Sequence, residues 1–393
     1  METLGEILSS DKYSIKRGPF GSALKKSFFV EKGIRIFEQY NPINNDPHWK
    51  RYFISHEKFQ ELEAFKATEG DLLISCSGTL GKIVELPKDT EMGIINQALL
   101  KIRLNNIKIL NSYFIYYFNS PIMQEKILES TLGSAIKNIA SVKILKQIEI
   151  PLPPLKKQER IVGILDESFA KIDESIKILE QNLLNLDELM QSALQKAFNP
   201  LKDNAKENYK LPQSWEWKSL EEISENISAG GDKPKNCTES KTAKNQIPVY
   251  ANGVNNNGLV GYTDKATIIK PSLTISARGT IGFVCIRKEP YFPIVRLISL
   301  IPCENILCLH YLYFCLNFFI AKGEGSSIPQ LTIPKFKSLQ IPLPPLKEQE
   351  QIAKHLDFVF EKTKALKELY TKELKDYEEL KQSLLNKAFK GEL

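Results

Sequence analysis

A segment of 49 residues occurs twice in this 393-residue chain and constrains its fold more than any other feature. Residues 150–198 return as residues 341–389 without a gap, at a constant separation of 191 positions. The opening IPLPPLK is identical in the two copies, Gln158-Glu159 matches Gln349-Glu350, and QSALQKAF is echoed by QSLLNKAF. The chain is therefore an internal duplication.

Each copy of the segment has the pattern of one long helix with a sharp start. Proline is tolerated in the first turn of a helix but not in its interior, so the first helix is predicted to begin near Pro154. Apolar residues then recur alternately three and four positions apart, which is the spacing of a coiled-coil seam. The predicted seam residues are Leu165, Phe169, Ile172, Ile176, Leu179, Leu183, Leu186 and Met190 in the first copy, and Leu356, Phe360, Leu366, Tyr370, Leu374, Tyr377 and Leu384 in the second.

The second seam is less regular than the first. Lys367 and Lys381 fall where Ile176 and Met190 lie in the first copy, while Leu366 and Leu380 stand beside them. We therefore expect drift or local unwinding there. The stop signals Asn199-Pro200 and Lys390-Gly391 are predicted to end the two helices.

Two such helices can satisfy each other. A helix of about 45 residues is roughly 65 Å long and buries nothing alone. Two apolar stripes in one chain predict antiparallel packing of the two helices. A generic helical hairpin or a dimerisation coil remains an alternative at this point.

Composition limits the class of protein. With 42% hydrophobic and 25% charged residues, the chain has the composition of a soluble globular protein of two or three domains. It has no apolar run long enough to span a membrane and no signal-peptide pattern, so a cytoplasmic location is expected. The six cysteines form no CxxC pair and the four histidines are scattered, so reduced thiols and no zinc site are expected. A net charge of +6 permits nucleic-acid binding without requiring it.

The globular parts are duplicated as well. SARGTIGFV (276–284) matches SCSGTLGKI (75–83), HYLYFCL (310–316) matches SYFIYYF (112–118), and GSSIPQ (325–330) matches GSAIKN (133–138). The offsets shrink along the chain, which places insertions and deletions in loops. The predicted organisation is a first domain at 1–150, a long helix at 151–199, a polar linker at 200–210, a second domain at 211–341 and a second long helix at 342–393.

Local patterns predict a few elements within the first domain. Residues 4–8 are predicted to form a short helix, and residues 70–86 two short strands joined by a turn at Ser77-Gly78-Thr79. The aromatic stretch 112–118 is predicted to be a buried helix. GTLGK is not a phosphate loop, because Gly78 and Gly81 are only two residues apart and no hydroxyl residue follows Lys82.

Two loops carry candidate binding chemistry. In residues 15–29, glycine and proline force a turn between basic residues, which can offer amides and cations to phosphates; an ordinary solvated turn is the alternative. Residues 230–265 combine lysines, which position phosphates, with asparagines, which can pair with an adenine edge. Asn-Gly is also a common hairpin signal, so each asparagine alone favours a turn. The cluster beside Arg278 makes base reading the sharper hypothesis.

Taken together, these residues resemble a known family over essentially the whole chain. The repeated IPLPPLKxQExI helix entry, the LPQSWEWKSLEEI opening (211–223), VYANG (249–253), SARGTIG (276–282) and RGPFGS (17–22) are similar to the specificity subunit of Type I restriction-modification systems. One departure is that the N-terminus has no LPxxW opening like that at 211–215, so the first domain begins abruptly at LGEI (4–7).

The resemblance implies an α+β fold. Two mixed α/β target-recognition domains would be separated by two long antiparallel coiled-coil helices, with a pseudo-twofold internal repeat. Each domain would read one half of a bipartite site in double-stranded DNA, and the helices would set the spacer. The implied partners are two methyltransferase subunits and restriction/translocase subunits, with no membrane involved.

The candidate DNA-binding residues lie in the loops of both domains. They are Lys16, Arg17, Gly18, Ser22, Lys25, Lys26, Ser77, Thr79 and Lys82 in the first domain, and Lys233, Lys235, Lys244, Tyr250, Asn252, Asn255, Asn256, Arg278 and Thr280 in the second.

The residues indicate a protein that is not itself catalytic. The nearest match to the Asn-Pro-Pro-aromatic motif of adenine methyltransferases is Asn41-Pro42-Ile43-Asn44, which lacks the second proline. No catalytic residue, metal site or cofactor is assigned to this chain, and S-adenosylmethionine, ATP and Mg²⁺ would be used by its partners. Two alternatives stay open: a coiled-coil scaffold without DNA specificity, and a restriction enzyme with catalysis in one domain.

Overall fold

The computed structural model describes residues 1–129, 139, 141–198, 211–320, 323–324 and 331–393. The chain divides into two compact units. Unit 1 comprises Met1–Leu179 with Lys372–Leu393, and unit 2 comprises Glu180–Thr371. Each unit thus contains one α/β domain and a part of each long helix.

Unit 1 begins with short strands and small helices. A 3-10 helix at Leu4–Ile7 lies where the short N-terminal helix was predicted. The elements are β1 (Glu2–Thr3), β2 (Ile15–Arg17), β3 (Phe29–Val30), β4 (Ile34–Phe37), α1 (Tyr40–Ile43), β5 (Phe53–Ile54), α2 (His56–Glu61), β6 (Lys66–Ala67), β7 (Leu72–Ser75), β8 (Ile83–Glu85), β9 (Gly93–Ile95), β10 (Leu99–Ile102), α3 (Asn111–Asn119), α4 (Pro121–Glu129), α5 (Val142–Leu145), β11 (Glu149–Ile150) and the first long helix α6 (Leu155–Phe198).

Unit 2 has the same order of major elements. They are β12 (Glu216–Ser219), α7 (Leu220–Ile223), β13 (Ser224–Ala229), β14 (Ile247–Tyr250), β15 (Leu259–Thr263), β16 (Ser272–Ile275), β17 (Thr280–Ile281), β18 (Val284–Arg287), β19 (Phe292–Pro293), β20 (Ile298–Pro302), α8 (Leu309–Phe319), β21 (Gly323–Glu324), α9 (Ile333–Lys337), β22 (Gln340–Leu343) and the second long helix α10 (Leu346–Lys390).

A four-stranded antiparallel sheet is the frame of each unit. Its order is β2-β10-β7-β8 in unit 1 and β13-β20-β16-β18 in unit 2, and the strands pair in the same sense. A second sheet in each unit contains one parallel pair, β4 with β9 and β14 with β19. The duplication seen in the sequence is therefore a duplication of sheet topology.

The domain starts also match. β1 pairs with β11 in unit 1, as β12 pairs with β22 in unit 2. A capping box follows each strand, formed by Thr3 with Glu6 and by Ser219 with Glu222. The first domain therefore lacks the LPxxW sequence but keeps the strand and cap that follow it.

One aromatic helix fills the core of each unit. In α3, Tyr113, Phe114, Tyr117 and Phe118 are buried, which confirms the predicted buried helix at 112–118. α8 does the same in unit 2, where its buried aromatic and apolar residues pack against β16 and β20. Each of these helices fixes the end of a long helix against its domain.

A buried glutamine explains the repeated helix entry. The side chain of Gln158 accepts from the N–H of Leu110 and donates to the carbonyls of Lys108 and Pro153, each at 2.9 Å. Gln349 makes the matching three bonds, to Cys308 at 2.9 Å and to Ile306 and Pro344 at 2.9 and 2.8 Å. Both side chains are completely buried. The motif thus ties the first turn of each long helix to the loop before α3 or α8.

The long helices begin where the prolines predict and pack antiparallel within each unit. α6 starts one residue after Pro154, and α10 ends before Gly391, which has the left-handed φ of 84° expected of a stop signal. In unit 1, Asp173 pairs with Lys381; in unit 2, Asp187 pairs with Lys367. Later residues of α6 therefore face earlier residues of α10.

The prediction for the second seam was partly wrong. α10 is continuous from Leu346 to Lys390, so it does not unwind. Leu366 is exposed, at 38%, and the seam position is taken by Lys367, whose side chain is 29% exposed and whose ammonium reaches an aspartate of α6. A lysine can occupy a seam when its stem packs and its charged end reaches solvent or a partner.

The remaining predicted seam residues face inward to different degrees. Leu165, Ile172, Leu179, Leu186 and Leu356 are buried, and Phe169, Ile176, Leu183, Met190, Phe360, Tyr370, Leu374, Tyr377 and Leu384 are half-buried. The predicted stop at 199–200, the linker 200–210 and the matching segments 133–138 and 325–330 lie outside the described residues.

Candidate nucleic-acid interface

The ends of several strands meet at one edge of the four-stranded sheet in unit 1. We call this edge 1 and define it by residues 17–22, 76–82 and 96–98. The N–H of Gly18 donates to Leu99 and that of Cys76 to Ala98, both at 2.8 Å. Because neighbouring strands are antiparallel, the end of β2, the start of β10 and the β7–β8 loop all lie on this side.

Unit 2 forms the matching edge 2, defined by residues 230–235, 276–283 and 294–297. The N–H of Gly230 donates to Leu297 at 2.8 Å, as Gly18 does to Leu99. Ile294 donates to Tyr250 at 2.9 Å, as Asn96 donates to Phe37 at 3.0 Å. Predicted site residues distant in sequence are thereby brought to one side of each sheet.

Close backbone packing explains the glycines that open the two loops. A Cβ on Gly18 would lie 1.7 Å from the carbonyl oxygen of Asn96. A Cβ on Gly230 would lie 2.6 Å from the nitrogen of Ile294. Glycine is needed at both positions because the following strand turn passes directly over the backbone.

A cation and an exposed aromatic ring lie at or beside edge 1. The ammonium of Lys16 lies 5.4 Å from the ring centre of Tyr13 and 5.1 Å from that of Phe65. Phe20 is 89% exposed at the tip of the loop. A cavity of about 510 Å³ lies here, lined by Lys16, Arg17, Gly18, Pro19, Phe20, Gly21, Phe65 and Gln97.

The hairpin of edge 1 supplies the other predicted residues. β7 and β8 are the two short strands predicted for residues 70–86. Thr79 and Lys82 are exposed in their connecting loop and Ser77 is half-buried, while the N–H of Lys82 donates to the hydroxyl of Ser75 at 2.9 Å. Burial raises the pKa of the Cys76 thiol to about 12, while the charge of Arg17 acts in the opposite direction, so burial favours the neutral thiol.

Edge 2 contains a backbone feature that the sequence did not reveal. Val295 and Arg296 both have left-handed φ angles, of 54° and 59°. Such conformations cost on the order of 1–3 kcal/mol for residues other than glycine, and more for a β-branched residue. Their N–H groups donate to Gly231 and Gly230, each at 2.8 Å, which holds the turn. Both side chains are exposed.

Asn252, which is predicted to contact a base, also bonds within the protein. Its Oδ1 accepts from the N–H of Ala277 at 2.8 Å, and its Nδ2 donates to the carbonyl of Val295 at 2.6 Å. The amide therefore already joins two loops of edge 2. Asn252 thus organises edge 2, and its contact with a base stays a prediction.

Tyr250 also has a structural place. The guanidinium carbon of Arg287 lies 3.5 Å from its ring centre, and the ring of Tyr291 meets it edge-on at 5.7 Å. Arg287 donates to the carbonyl of Asn257 at 2.5 Å and so fixes the asparagine loop. Tyr250 is half-buried and has a packing role, and its predicted contact with DNA stays a prediction.

The other predicted residues lie at or near the edges, and all of them except the half-buried Thr280 are exposed. Arg278 is exposed in the loop after β16, and Thr280 lies in β17. Asn255 and Asn256 are exposed, and Asn256 has a left-handed φ of 49°, as an asparagine turn requires. The exposed residues Ser22, Lys25 and Lys26 lead to β3, while Lys233 and Lys235 follow Gly230; Lys244 lies 3.9 Å from Asp264 in a separate hairpin.

The chemistry assembled at the two edges is that of binding. Within the described residues, no group of three or more His, Cys, Asp or Glu side chains could hold a metal ion. A search of those same residues finds no helix of the length and apolarity needed to cross a membrane. Cations, amide donors and exposed side chains on rigid turns are suited to contacts with phosphates and base edges.

Comparison with protein families gives two matches along the chain. Residues 21–184 and 212–376 each match the Type I restriction modification DNA specificity domain. A Mycoplasma pneumoniae protein provisionally named a type I specificity subunit is 33% identical over 221 residues, which are 55% of this chain and 56% of that protein. The specificity subunit of the MjaVIII type I restriction enzyme of Methanocaldococcus jannaschii is 25% identical over 358 residues, covering 83% and 79% of the two chains.

The matched stretches span 56% to 66% of the length of three Mycoplasma pneumoniae relatives. Two solved structures have a similar fold. One comes from work on complex assembly and conformational transition of the type I R-M system, with a TM-score of 0.80, 20% identity and coverage of 100% and 97%. The other is the HsdS subunit of Thermoanaerobacter tengcongensis, with a TM-score of 0.61, 20% identity and coverage of 100% and 96%.

Proposed function

Since the chain belongs to the family defined by the Type I restriction modification DNA specificity domain, we propose that it is the DNA sequence-specificity subunit of a Type I restriction-modification complex. Edge 1 reads one half of a bipartite site in duplex DNA, and edge 2 reads the other half. The chain selects the sequence and performs no catalysis itself.

One observation carries this proposal. The same sheet order occurs twice, and in both units it brings the same three loops to one edge. The two units have the same sheet frame, while the exposed residues at their edges differ. A protein that reads two different half-sites with one architecture requires this combination of a common frame and variable loops.

Partners supply the chemistry in this proposal. Two methyltransferase subunits and the restriction/translocase subunits use S-adenosylmethionine, ATP and Mg²⁺, and this chain binds none of them. The long helices carry exposed apolar side chains that a partner would cover, among them Ile178, Leu184, Leu189, Phe358 and Leu369. The complex acts on DNA in the cytoplasm.

The central test is methylation of a randomised DNA library by the chain together with its methyltransferase subunit. We expect two fixed half-sites separated by a constant unspecified spacer. The methyltransferase alone and the chain alone are the controls. Methylation without sequence preference would support the scaffold alternative, and DNA cleavage by the chain alone would support a catalytic domain.

The helices are proposed to set the spacer. Inserting seven residues after Leu179 and seven after Tyr370 preserves the heptad pattern and lengthens each helix by about 10 Å. The half-sites should stay the same while the spacer grows by about three base pairs, although a three-pair shift also turns the groove by about 100° and lowers activity. An unchanged spacer with efficient methylation would contradict the role of the helices in setting it.

A further inference from the structure

The two edges differ in how they bond one equivalent backbone group. In edge 1, the N–H of Cys76 donates to the carbonyl of Ala98 at 2.8 Å. The equivalent group in edge 2 is the N–H of Ala277, because SCSGTLG aligns with SARGTIG. Ala277 donates instead to the side-chain oxygen of Asn252, also at 2.8 Å.

The cause of this difference is the left-handed turn. Arg296 is the equivalent of Ala98, since Leu297 and Leu99 accept the matching bonds from the two loop glycines. With a φ of 59°, the backbone of Arg296 follows a different path, and Asn252 provides the acceptor in its place. The same amide donates to the carbonyl of Val295 at 2.6 Å. Asn252 therefore both replaces the missing backbone acceptor and stabilises the left-handed turn.

As a consequence, Arg296 lies on a turn whose backbone is fixed by several hydrogen bonds. The turn is fixed by backbone bonds to Gly230 and Gly231 and by the amide of Asn252. Arg296 is exposed on it, in the same edge as Arg278. Strained backbone that is held by several bonds is typical of positions that aim a functional group.

We propose that Arg296 is a specificity-determining residue of unit 2, donating two of its guanidinium N–H groups to the O6 and N7 edge of a guanine in its half-site. Asn252 is the positioning residue that aims it. Guanine is the base edge that arginine pairs with most often in the major groove. Phosphate contacts need less exact aiming, and Lys233 and Lys235 are exposed in the adjoining loop for that purpose. This inference rests on the proposed function.

The test uses the complete complex with its methyltransferase subunit and a randomised half-site library. Arg296→Ala should reduce the preference for one guanine in the half-site of unit 2 by roughly 10- to 100-fold, because a bidentate contact is lost. The other half-site and the spacer should not change. Arg296→Lys keeps the charge but not the paired donors, so it should relax the same position.

A matched control removes an exposed charge from the opposite end of the same sheet. Lys288 follows β18 on the side away from edge 2, and Lys288→Ala should leave the base preference unchanged. Uniformly weaker binding of all sequences by Arg296→Ala, with a lower salt dependence, would assign a phosphate contact and overturn the proposal. An unchanged preference would overturn it as well.

Asn252→Asp tests the positioning role. The aspartate can still accept from Ala277 but places a negative oxygen against the carbonyl of Val295. The same guanine preference should relax while the preference at other positions remains, and thermal unfolding of the variant serves as the folding control. Relaxation at every position would contradict a positioning role.

The two levels of inference fail differently. If the unmodified complex selects no bipartite site, the proposed function is wrong. If it selects one and Arg296→Ala keeps every base preference, only the assignment of Arg296 is wrong.

Discussion

Edge 1 and edge 2 have the same frame but different surfaces. Phe20 stands in edge 1 at the position equivalent to Asp232 in edge 2, since both lie two residues after the loop glycine. The turn before β10 is ordinary, whereas the matching turn before β20 is left-handed at two residues. The differences between the units are concentrated where the strands end. A substitution there changes the stability of the sheet little.

The interior of the frame also tolerates exchange of chemistry. In unit 1, the ammonium of Lys101 lies 3.9 Å from the carboxylate of Asp71, and burial lowers the pKa of this lysine while Asp71 opposes the shift. The equivalent positions in unit 2 are serines, and Ser272 bonds the hydroxyl of Tyr291 at 2.9 Å. Unit 1 places an ion pair at these positions and unit 2 a bond between hydroxyl groups, so the topology does not depend on either one.

The largest loss of stability is expected at the glutamine that the two units share, Gln158 in unit 1 and Gln349 in unit 2. Gln158→Ala removes one acceptor and two donated bonds from a completely buried position, and so does Gln349→Ala. Each change should destabilise its own unit by about 3–4 kcal/mol, because buried backbone groups are left unsatisfied. Hydrogen exchange of the two units, which reports local opening free energies, would measure both effects.

The neighbouring glutamates are the matched controls. Glu159 and Glu350 are exposed, so Glu159→Ala and Glu350→Ala should change stability by less than about 0.5 kcal/mol. A large loss in one unit and none in the other would show that the helix entry is not equivalent in the two units.

The repeated motif shows what the sequence could predict. The prolines predicted the helix start, the heptad pattern predicted the long helices, and the aligned segments predicted the duplicated domains. The role of Gln158 was not predicted, because two of its three partners are backbone groups about 50 residues earlier in the chain. Leu366 was wrongly assigned to the seam because the prediction favoured apolar residues. Lys367, which pairs with Asp187, occupies the seam position instead.

The next largest effect is expected at the two loop glycines, each of which lies directly under the backbone of a neighbouring turn. Gly18→Ala and Gly230→Ala should both displace the turn that passes over the glycine, by steric overlap at 1.7 and 2.6 Å. We expect a loss of stability of about 1–3 kcal/mol, larger for Gly18, together with weaker recognition of the half-site of the same unit only. Half-site methylation and thermal unfolding would measure both quantities.

Gly21 provides the comparison within the same loop. An added Cβ there would meet only the flexible side chain of Gln97, whose oxygen would lie 3.4 Å away. Gly21→Ala should therefore be tolerated. If Gly18→Ala were tolerated equally well, the turn at Asn96 would be adaptable and edge 1 would not be rigid.

A smaller effect is expected from Phe20, which distinguishes edge 1 from edge 2. Phe20→Ala should leave stability within about 0.5 kcal/mol, since the ring is 89% exposed. It should weaken binding to the half-site of unit 1 by about tenfold, because an exposed ring can stack on or wedge between bases. Ile107, 85% exposed in the segment between β10 and α3, is the control, and Ile107→Ala should not affect binding.

The edges show where sequence reasoning stops. Basic residues and glycines marked the loops, but the left-handed turn at Val295 had no signal, because valine disfavours that conformation. Asn252 was identified as a polar residue of the right type, but its bonds to Ala277 and Val295 depend on three loops meeting. Residue types indicate possible contacts, whereas backbone geometry decides which groups remain available.

The smallest effect concerns the two ion pairs between the long helices. Lys381 is 19% exposed and its aspartate, Asp173, 63%, whereas Lys367 and Asp187 are 29% and 66% exposed. Because the aspartates face water, each pair should contribute less than about 1 kcal/mol, and less still at high salt. A double-mutant cycle combining Lys→Met and Asp→Ala would measure each coupling in urea unfolding.

We expect the Lys381 pair to be the stronger of the two, since its lysine is more buried. Either lysine alone changed to methionine should be neutral or slightly stabilising, because an apolar side chain fits the seam. A coupling above about 2 kcal/mol would contradict this expectation, since an exposed carboxylate is too strongly screened to contribute so much.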